Sequence, residues 1–128
     1  MVVGAAIVRD GRLLAQRRSW PAELAGRWEL PGGRVEPGES EQAALRRECA
    51  EELAAEVAVA GRLGPDLPLS ARSVLRIYAA RLRADSPEPR AVEHAELRWV
   101  AAAELAGLDW LDADRGLLGA LADLLSAR

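Results

Sequence analysis

Residues 33–55, "GRVEPGESEQAALRRECAEELAA", constrain the fold more than any other stretch of the chain. A turn at "VEPGE" (35–39) runs into Ser40, a residue type whose hydroxyl accepts from a free amide in a helix's first turn. Glu41 follows, where a carboxylate favours the positive end of the helix dipole. Leu45, Cys49 and Leu53 then recur at i, i+4 and i+8, with Ala43, Ala50 and Ala54 widening the apolar side. The spacing predicts an amphipathic helix from Glu41 to about Ala55, with Cys49 as a small buried hydrophobe. Arg46 does not fit the stripe, beyond what a snorkelling side chain allows.

That helix carries Glu48, Glu51 and Glu52 within an arc of roughly 100°. Like charges at i, i+3 and i+4 repel by about 0.2–0.5 kcal/mol per pair. Either solvent screens a plain acidic face or something positive sits against it. Three hard oxygen donors on one face suit Mg²⁺ or Mn²⁺.

Around this helix the pattern alternates between strands and turns. Residues 2–8 are apolar and β-branched enough for a buried strand, "RDG" at 9–11 is a turn, and 12–17 reads as the returning strand. Residues 19–26 read as a loop and 27–30 as a short strand, ended by Pro31, Gly32 and Gly33. Further strands are expected at 57–63, 73–83 and 95–100, with "GPDLP" (64–68) and 84–90 as connectors. A small helix begins at 101–105, and a last helix over 113–126 has Leu117, Leu118, Leu121, Leu124 and Leu125 as its apolar face. One domain spanning 1–128 is expected, of α+β class, with a mixed sheet between helices.

Composition narrows the function. The 17 basic residues, all Arg, stand against 20 acidic ones for a formal charge of −3, which leaves no basic footprint for a nucleic acid polymer. No run approaches a membrane span, and the apolar start lacks the charged region of a signal peptide. A single cysteine excludes an internal disulfide and fits a reducing compartment, so a cytoplasmic setting is expected.

The 33–55 segment resembles the Nudix box: Gly, five residues, Glu, seven residues, Arg-Glu, an aliphatic, any residue, Glu-Glu, any residue, Gly, an aliphatic. Gly33, Glu39, Arg47, Glu48, Glu51 and Glu52 match in place. A looser resemblance to MutT-like Nudix hydrolases, through "GRWELPGG" (26–33) and "EHAELRWV" (93–100), covers nearly the whole chain. Three positions depart from the box: Cys49, Ala54 in place of the final glycine, and small Ala55. Ala54 leaves the helix end and the turn after it in question.

The resemblance implies an α/β/α sandwich with a loop-helix-loop site and metal-dependent hydrolysis of a nucleoside diphosphate linked to another group. It implies Glu48, Glu51, Glu52 and the Gly32 carbonyl as metal ligands, with Mg²⁺ as cofactor and Mn²⁺ as its alternative. Gly33 and Glu39 are structural members of the box, and Arg47 orients a carboxylate, Glu39 among the candidates. Glu93, six residues before Trp99, matches a late-loop glutamate that serves metal or base, so Glu48, Glu51 and Glu93 all stand as candidates for the base. His94 fits a surface loop as well as a catalytic site. Trp28, Trp99 and Trp110 read as core or pocket wall.

For the substrate, Arg18 matches an arginine near the nucleotide's phosphates or sugar, Glu29 belongs to the same pocket, and the loop 21–26 borders it. Asp114 stands where 8-oxoguanine-selective members place an asparagine. An ionised aspartate accepts hydrogen bonds and cannot donate, which pairs it with an exocyclic amino group such as that of cytosine. A helix cap is the other reading of Asp114. The resemblance therefore favours hydrolysis of (d)CTP or 5-methyl-dCTP to the monophosphate and pyrophosphate, in nucleotide-pool sanitisation, with 8-oxo-dGTP as the alternative. Another nucleoside-diphosphate compound, a non-catalytic nucleotide sensor and a protein-docking acidic face are further alternatives. The partner is a small nucleotide, and the chain is a monomer or homodimer.

Overall fold

In the computed structural model, which describes residues 1–126, the expected strand β1 (Val2–Arg9) runs through the centre. Its period-2 alternation sends Val3, Ala5 and Ile7 to one face of the sheet and Ala6 to the other. β2 (Arg12–Arg17) returns antiparallel through the turn at Asp10 and Gly11, both with positive φ. β3 (Trp28–Glu29) and β4 (Gly32–Arg34) follow, then α1 (Glu41–Leu53), β5 (Val57–Ser70), β6 (Ser73–Leu82) and β7 (Glu96–Val100). A 3-10 turn at Ala102–Gly107, α2 (Asp112–Arg115) and α3 (Leu118–Ser126) close the chain. The strand order is β3-β2-β1-β6-β5, with β4 also paired to β1 and β7 to β2. β1 and β6 are parallel and the other pairs antiparallel, giving the mixed sheet that the sequence suggested.

Two apolar layers flank the sheet. α1 covers Val3, Ala5, Ile7, Leu14, Tyr78 and Ala80 through Ala44, Leu45, Cys49 and Leu53. On the other face, Ala6, Leu13, Leu75 and Ile77 meet Trp110, Leu117 and Leu121. Trp110 is fully buried, and its indole N–H donates to the Leu105 carbonyl at 2.7 Å, which satisfies the polar end of a core residue. The result is a helix-sheet-helix sandwich.

The structure corrects several local expectations. Residues 64–68 are not a loop: β5 continues to Ser70, its register against β6 shifting after Val59, Leu63 and Pro68. β5 is an edge strand, so its prolines need no inner partner, and the irregularities absorb the extra residues. Gly32 and Gly33 do not end regular structure but pair with Gly4 and Val3 as part of β4. A Cβ on Gly32 would lie 2.0 Å from the Val3 carbonyl oxygen, so the close pairing requires glycine. The last helix is two pieces, broken at Gly116–Leu117. On α1, Ala44 rather than Ala50 completes the apolar side; Ala50 and Arg46 are exposed.

Ser40 caps α1 as expected, its hydroxyl accepting from the Ala43 amide at 3.0 Å. The helix ends at Leu53, and Ala54 adopts the left-handed conformation (φ 53°) with its N–H on the Ala50 carbonyl. The turn a glycine would make is therefore made by alanine.

Candidate active site

β4 lies against α1, and this contact builds the site. Glu52 is buried, its Oε2 accepting from Gln16 Nε2 at 2.9 Å and its Oε1 from the Gly32 amide at 3.0 Å. Burial pushes the Glu52 carboxyl well up from its ordinary value, against the pull of those two donors. Glu48 lies under Gly33, where a Cβ would come within 2.4 Å of the carboxylate. Position 33 is glycine because nothing larger leaves room for Glu48. Glu51 is more exposed and reaches the rim of the same cleft.

Arg47 fastens the loop before the helix to the helix. Its Nε and Nη2 donate to the two oxygens of Glu39 at 2.8 and 3.0 Å, Nη2 also reaches the Arg34 carbonyl at 3.0 Å, and Nη1 donates to Glu48 at 2.7 Å. This two-point grip suits a planar guanidinium. Arg47 and the Glu36 amide pull the Glu39 carboxyl down to about 2. Arg47 thus holds Glu48 and ties it to the turn at 36–39.

A second polar group converges from distant parts of the chain. His94 Nε2 lies 2.8 Å from Glu29 Oε2 and 3.9 Å from Glu52, while Arg18 donates to both oxygens of Glu29 at 3.1 Å. His94 Nδ1 is buried without a hydrogen-bond partner among the described residues. The loop carrying Glu93 and His94 is pinned by backbone bonds. Arg90 and Val92 donate their amides to the Leu53 and Glu52 carbonyls at 2.9 and 3.2 Å. Ser19 Oγ donates to the Glu93 carbonyl at 3.1 Å.

Glu48, Glu51, Glu52, Arg18, Glu29, Glu93 and His94 open onto one cleft of about 580 Å³. It brings together Gly32, Gly33, Glu48, Glu51, Glu52, Arg18, Glu29, Glu93 and Asp114 from the sequence reading, while Glu39 and Arg47 sit behind it. Part of its wall is apolar, and includes Leu69, Leu75, Ile77, Leu111 and Ala113. Asp114 lies there, buried, and no described N–H or O–H donates to its carboxylate. Burial, then the charge of Glu29, pushes it up to about 7. Asp114 therefore caps no helix: Leu111 precedes α2, and no side chain makes a cap there.

Gln16 is a site residue that the sequence did not single out, and His94 proves to line the cleft rather than a plain surface loop. The one local signal for Gln16 is an amide that follows Leu13, Leu14 and Ala15 in a buried strand. The Glu29–His94 pair spans 65 residues and leaves no local trace.

The donor set fits a hard divalent cation. Glu48, Glu51 and Glu52 offer carboxylate oxygens beside the Gly32 peptide, and Glu48 keeps one oxygen with no described donor. Glu29, Glu52 and His94 also bring one ligand atom each within 4.8 Å, but the Arg18 guanidinium and the His94–Glu29 hydrogen bond already occupy Glu29.

An α/β/α sandwich with an acidic helix packed on a glycine strand defines a class of phosphoanhydride hydrolases, and the comparisons with known proteins agree. The NUDIX domain pattern matches residues 1–119. The chain belongs to the Nudix family and is a Nudix hydrolase; divalent-metal dependence and small nucleotide substrates are general to that family. It is 51% identical over 129 residues to a Mycobacterium tuberculosis protein named "Putative 8-oxo-dGTP diphosphatase 2", covering 98% of this chain and 90% of that one. It is 35% identical over 127 residues to the Escherichia coli CTP pyrophosphohydrolase, covering 99% and 94%. Among solved structures, the E. coli ORF135 protein superposes with a TM-score of 0.82 at 35% identity, covering 99% and 91%. A MutT NUDIX hydrolase from Burkholderia pseudomallei gives 0.71 at 35% identity, covering 93% and 95%. No helix among the described residues is long and apolar enough to cross a membrane.

Proposed function

We propose that this chain, as one domain, catalyses Mg²⁺-dependent hydrolysis of (d)CTP or 5-methyl-dCTP to the nucleoside monophosphate and pyrophosphate, and so clears the nucleotide pool. The carrying observation is Asp114, which lines the same cleft as the box carboxylates and has no described donor to its carboxylate. An acceptor that faces the cleft without a donor is open to a ligand, and an exocyclic amino group of a base enclosed there supplies one. Glu48, Glu51, Glu52 and the Gly32 carbonyl hold the cation, with Mn²⁺ able to replace Mg²⁺. A cation held there would supply polarisation of the phosphoryl oxygens and a lowered pKa of water. Arg18 steers the phosphates, Glu29 fixes Arg18, and the base that accepts the water's proton comes from Glu48, Glu51 or Glu93. Attack falls on the β-phosphorus.

The second reading is 8-oxo-dGTP hydrolysis. It is favoured by the 51% identity to the mycobacterial protein bearing that activity in its name, and guanine also offers amino and ring N–H donors to Asp114. Pyrophosphate release with Mg²⁺ across CTP, dCTP, 5-methyl-dCTP, dGTP, 8-oxo-dGTP and ADP-ribose separates the two readings. Preference for the cytidine nucleotides supports the first, and preference for 8-oxo-dGTP replaces it with the second. Glu52→Gln, folded by circular dichroism and inactive, ties turnover to the box. A folded Glu52→Gln that turns over normally overturns the proposed metal site.

A further inference from the structure

Arg18 lines the cleft with part of its donor set already engaged. Its Nε donates to the Trp20 carbonyl at 3.0 Å, and its Nη1 donates to both oxygens of Glu29 at 3.1 Å. Nη2 has no acceptor among the described residues, which leaves it for an oxygen of a bound phosphate. The grip on Glu29 thus runs through one nitrogen. Arg47, by contrast, takes Glu39 with two nitrogens at 2.8 and 3.0 Å, the paired geometry that fixes a guanidinium against a carboxylate. A single nitrogen between two oxygens lets the carboxylate pivot about it. The aim of Arg18 therefore depends on what else holds Glu29.

His94 is that second hold. Its Nε2 lies 2.8 Å from Glu29 Oε2, and its side chain is only 10% exposed. Arg18 donates to both Glu29 oxygens, so the carboxylate is the acceptor and the ring nitrogen the donor. The other carboxylate nearby is not held by the ring: Glu52 Oε2 is 3.9 Å away, beyond hydrogen-bond reach, and Glu52 has donors of its own in Gln16 and the Gly32 amide. Nor does the loop depend on the ring for its course. The Val92 amide on the Glu52 carbonyl at 3.2 Å and the Ala95 amide on the Arg17 carbonyl at 2.8 Å brace the main chain on either side of His94. What the imidazole adds is the bond to Glu29.

We propose that His94 is a positioning residue, which locks Glu29 and through it aims the free edge of Arg18 at the substrate's phosphate chain. His94 touches no reacting atom in this arrangement. The inference rests on Arg18 as the phosphate-binding residue of the proposed function, and not on which base Asp114 selects.

The test measures KM and kcat with dCTP and 8-oxo-dGTP in the wild type, His94→Asn, His94→Gln, Arg18→Ala and the double variant of Arg18→Ala with His94→Asn. A glutamine amide nitrogen can stand where Nε2 does, whereas that of asparagine falls nearer Nδ1 and short of Glu29. His94→Asn is expected to raise KM about tenfold with kcat within about threefold, since a contact made equally in ground and transition states acts on KM. His94→Gln recovers most of that loss. Half-saturation by Mg²⁺ stays within about twofold, unlike the shift that follows loss of a metal ligand's own partner. In the Arg18→Ala background His94→Asn changes KM by less than about twofold, because the residue it acts through is gone. An unchanged KM in His94→Asn folded by circular dichroism, equal losses in the Asn and Gln variants, or losses that multiply in the double variant overturn the role. His94→Ala, read by the same criteria, takes the place of His94→Asn if the latter does not fold. If the wild type turns over neither nucleotide, the proposed triphosphate reaction falls, and calorimetric binding of inorganic tripolyphosphate across the same variants decides the positioning role by itself.

Discussion

Gln16 Nε2 donates to Glu52 Oε2 at 2.9 Å, joining the second strand of the β1–β2 hairpin to the acidic helix 36 residues later. Both side chains are buried, so this hydrogen bond and the Gly32 amide set where the Glu52 carboxylate points. Gln16→Leu removes one of the two. Turnover is expected to fall about tenfold or more and half-saturation by Mg²⁺ to shift to higher concentration, as happens when the partner that orients a metal ligand is lost. A metal titration of pyrophosphate release measures both.

Asp114 gives a pH prediction with a defined sign. Its folded pKa, pushed from 3.8 to about 7, lies above the unfolded value, so the native state holds a proton that the unfolded state has lost between those two pH values. Stability attached to Asp114 is therefore full below about pH 4 and declines as pH rises through about 7. Asp114→Asn should raise the melting temperature at pH 8 more than at pH 5. In the same range, KM for cytidine nucleotides should rise as pH falls below about 7 and lose that dependence in Asp114→Asn.

Ala54 sits in the left-handed region at φ 53°, where a Cβ costs roughly 1–2 kcal/mol. Glycine removes that cost but has more freedom to lose on folding. The net expectation is that Ala54→Gly stabilises by about 0.5–1 kcal/mol in urea unfolding, with turnover within about twofold of wild type.

The two glycines of β4 should separate folding from activity. Gly33→Ala meets the end of a flexible side chain, Glu48, so the expected result is a folded protein with turnover reduced about 100-fold. Gly32→Ala meets the backbone of Val3 and must break the strand pairing, so poor folding is expected instead. Circular dichroism and a turnover assay of both variants check the contrast.

The sequence carried the acidic helix well because burial on one side imposes a 3.6-residue period, and Leu45, Cys49 and Leu53 obey it. It also carried the box, where Gly33, Glu39 and Arg47 fall in register with the carboxylates. It misled at 64–68, since Gly64, Pro65 and Pro68 signal a turn wherever they occur, and only the position of β5 at the sheet edge lets them stay in a strand. The Glu29–His94–Arg18 cluster and the Gln16 hydrogen bond were out of reach because each depends on how the hairpin, the late loop and α1 are stacked. Asp114 could be singled out by position, but its burial without a donor is a property of the packed molecule.

The bonds from Arg90 and Val92 to the last carbonyls of α1 make the late loop a clasp on the helix that carries Glu52. The two amides satisfy carbonyls that the helix leaves without a partner of its own. Protection of the Arg90 and Val92 amide protons from exchange with solvent would report how firmly that clasp holds, without a substrate present.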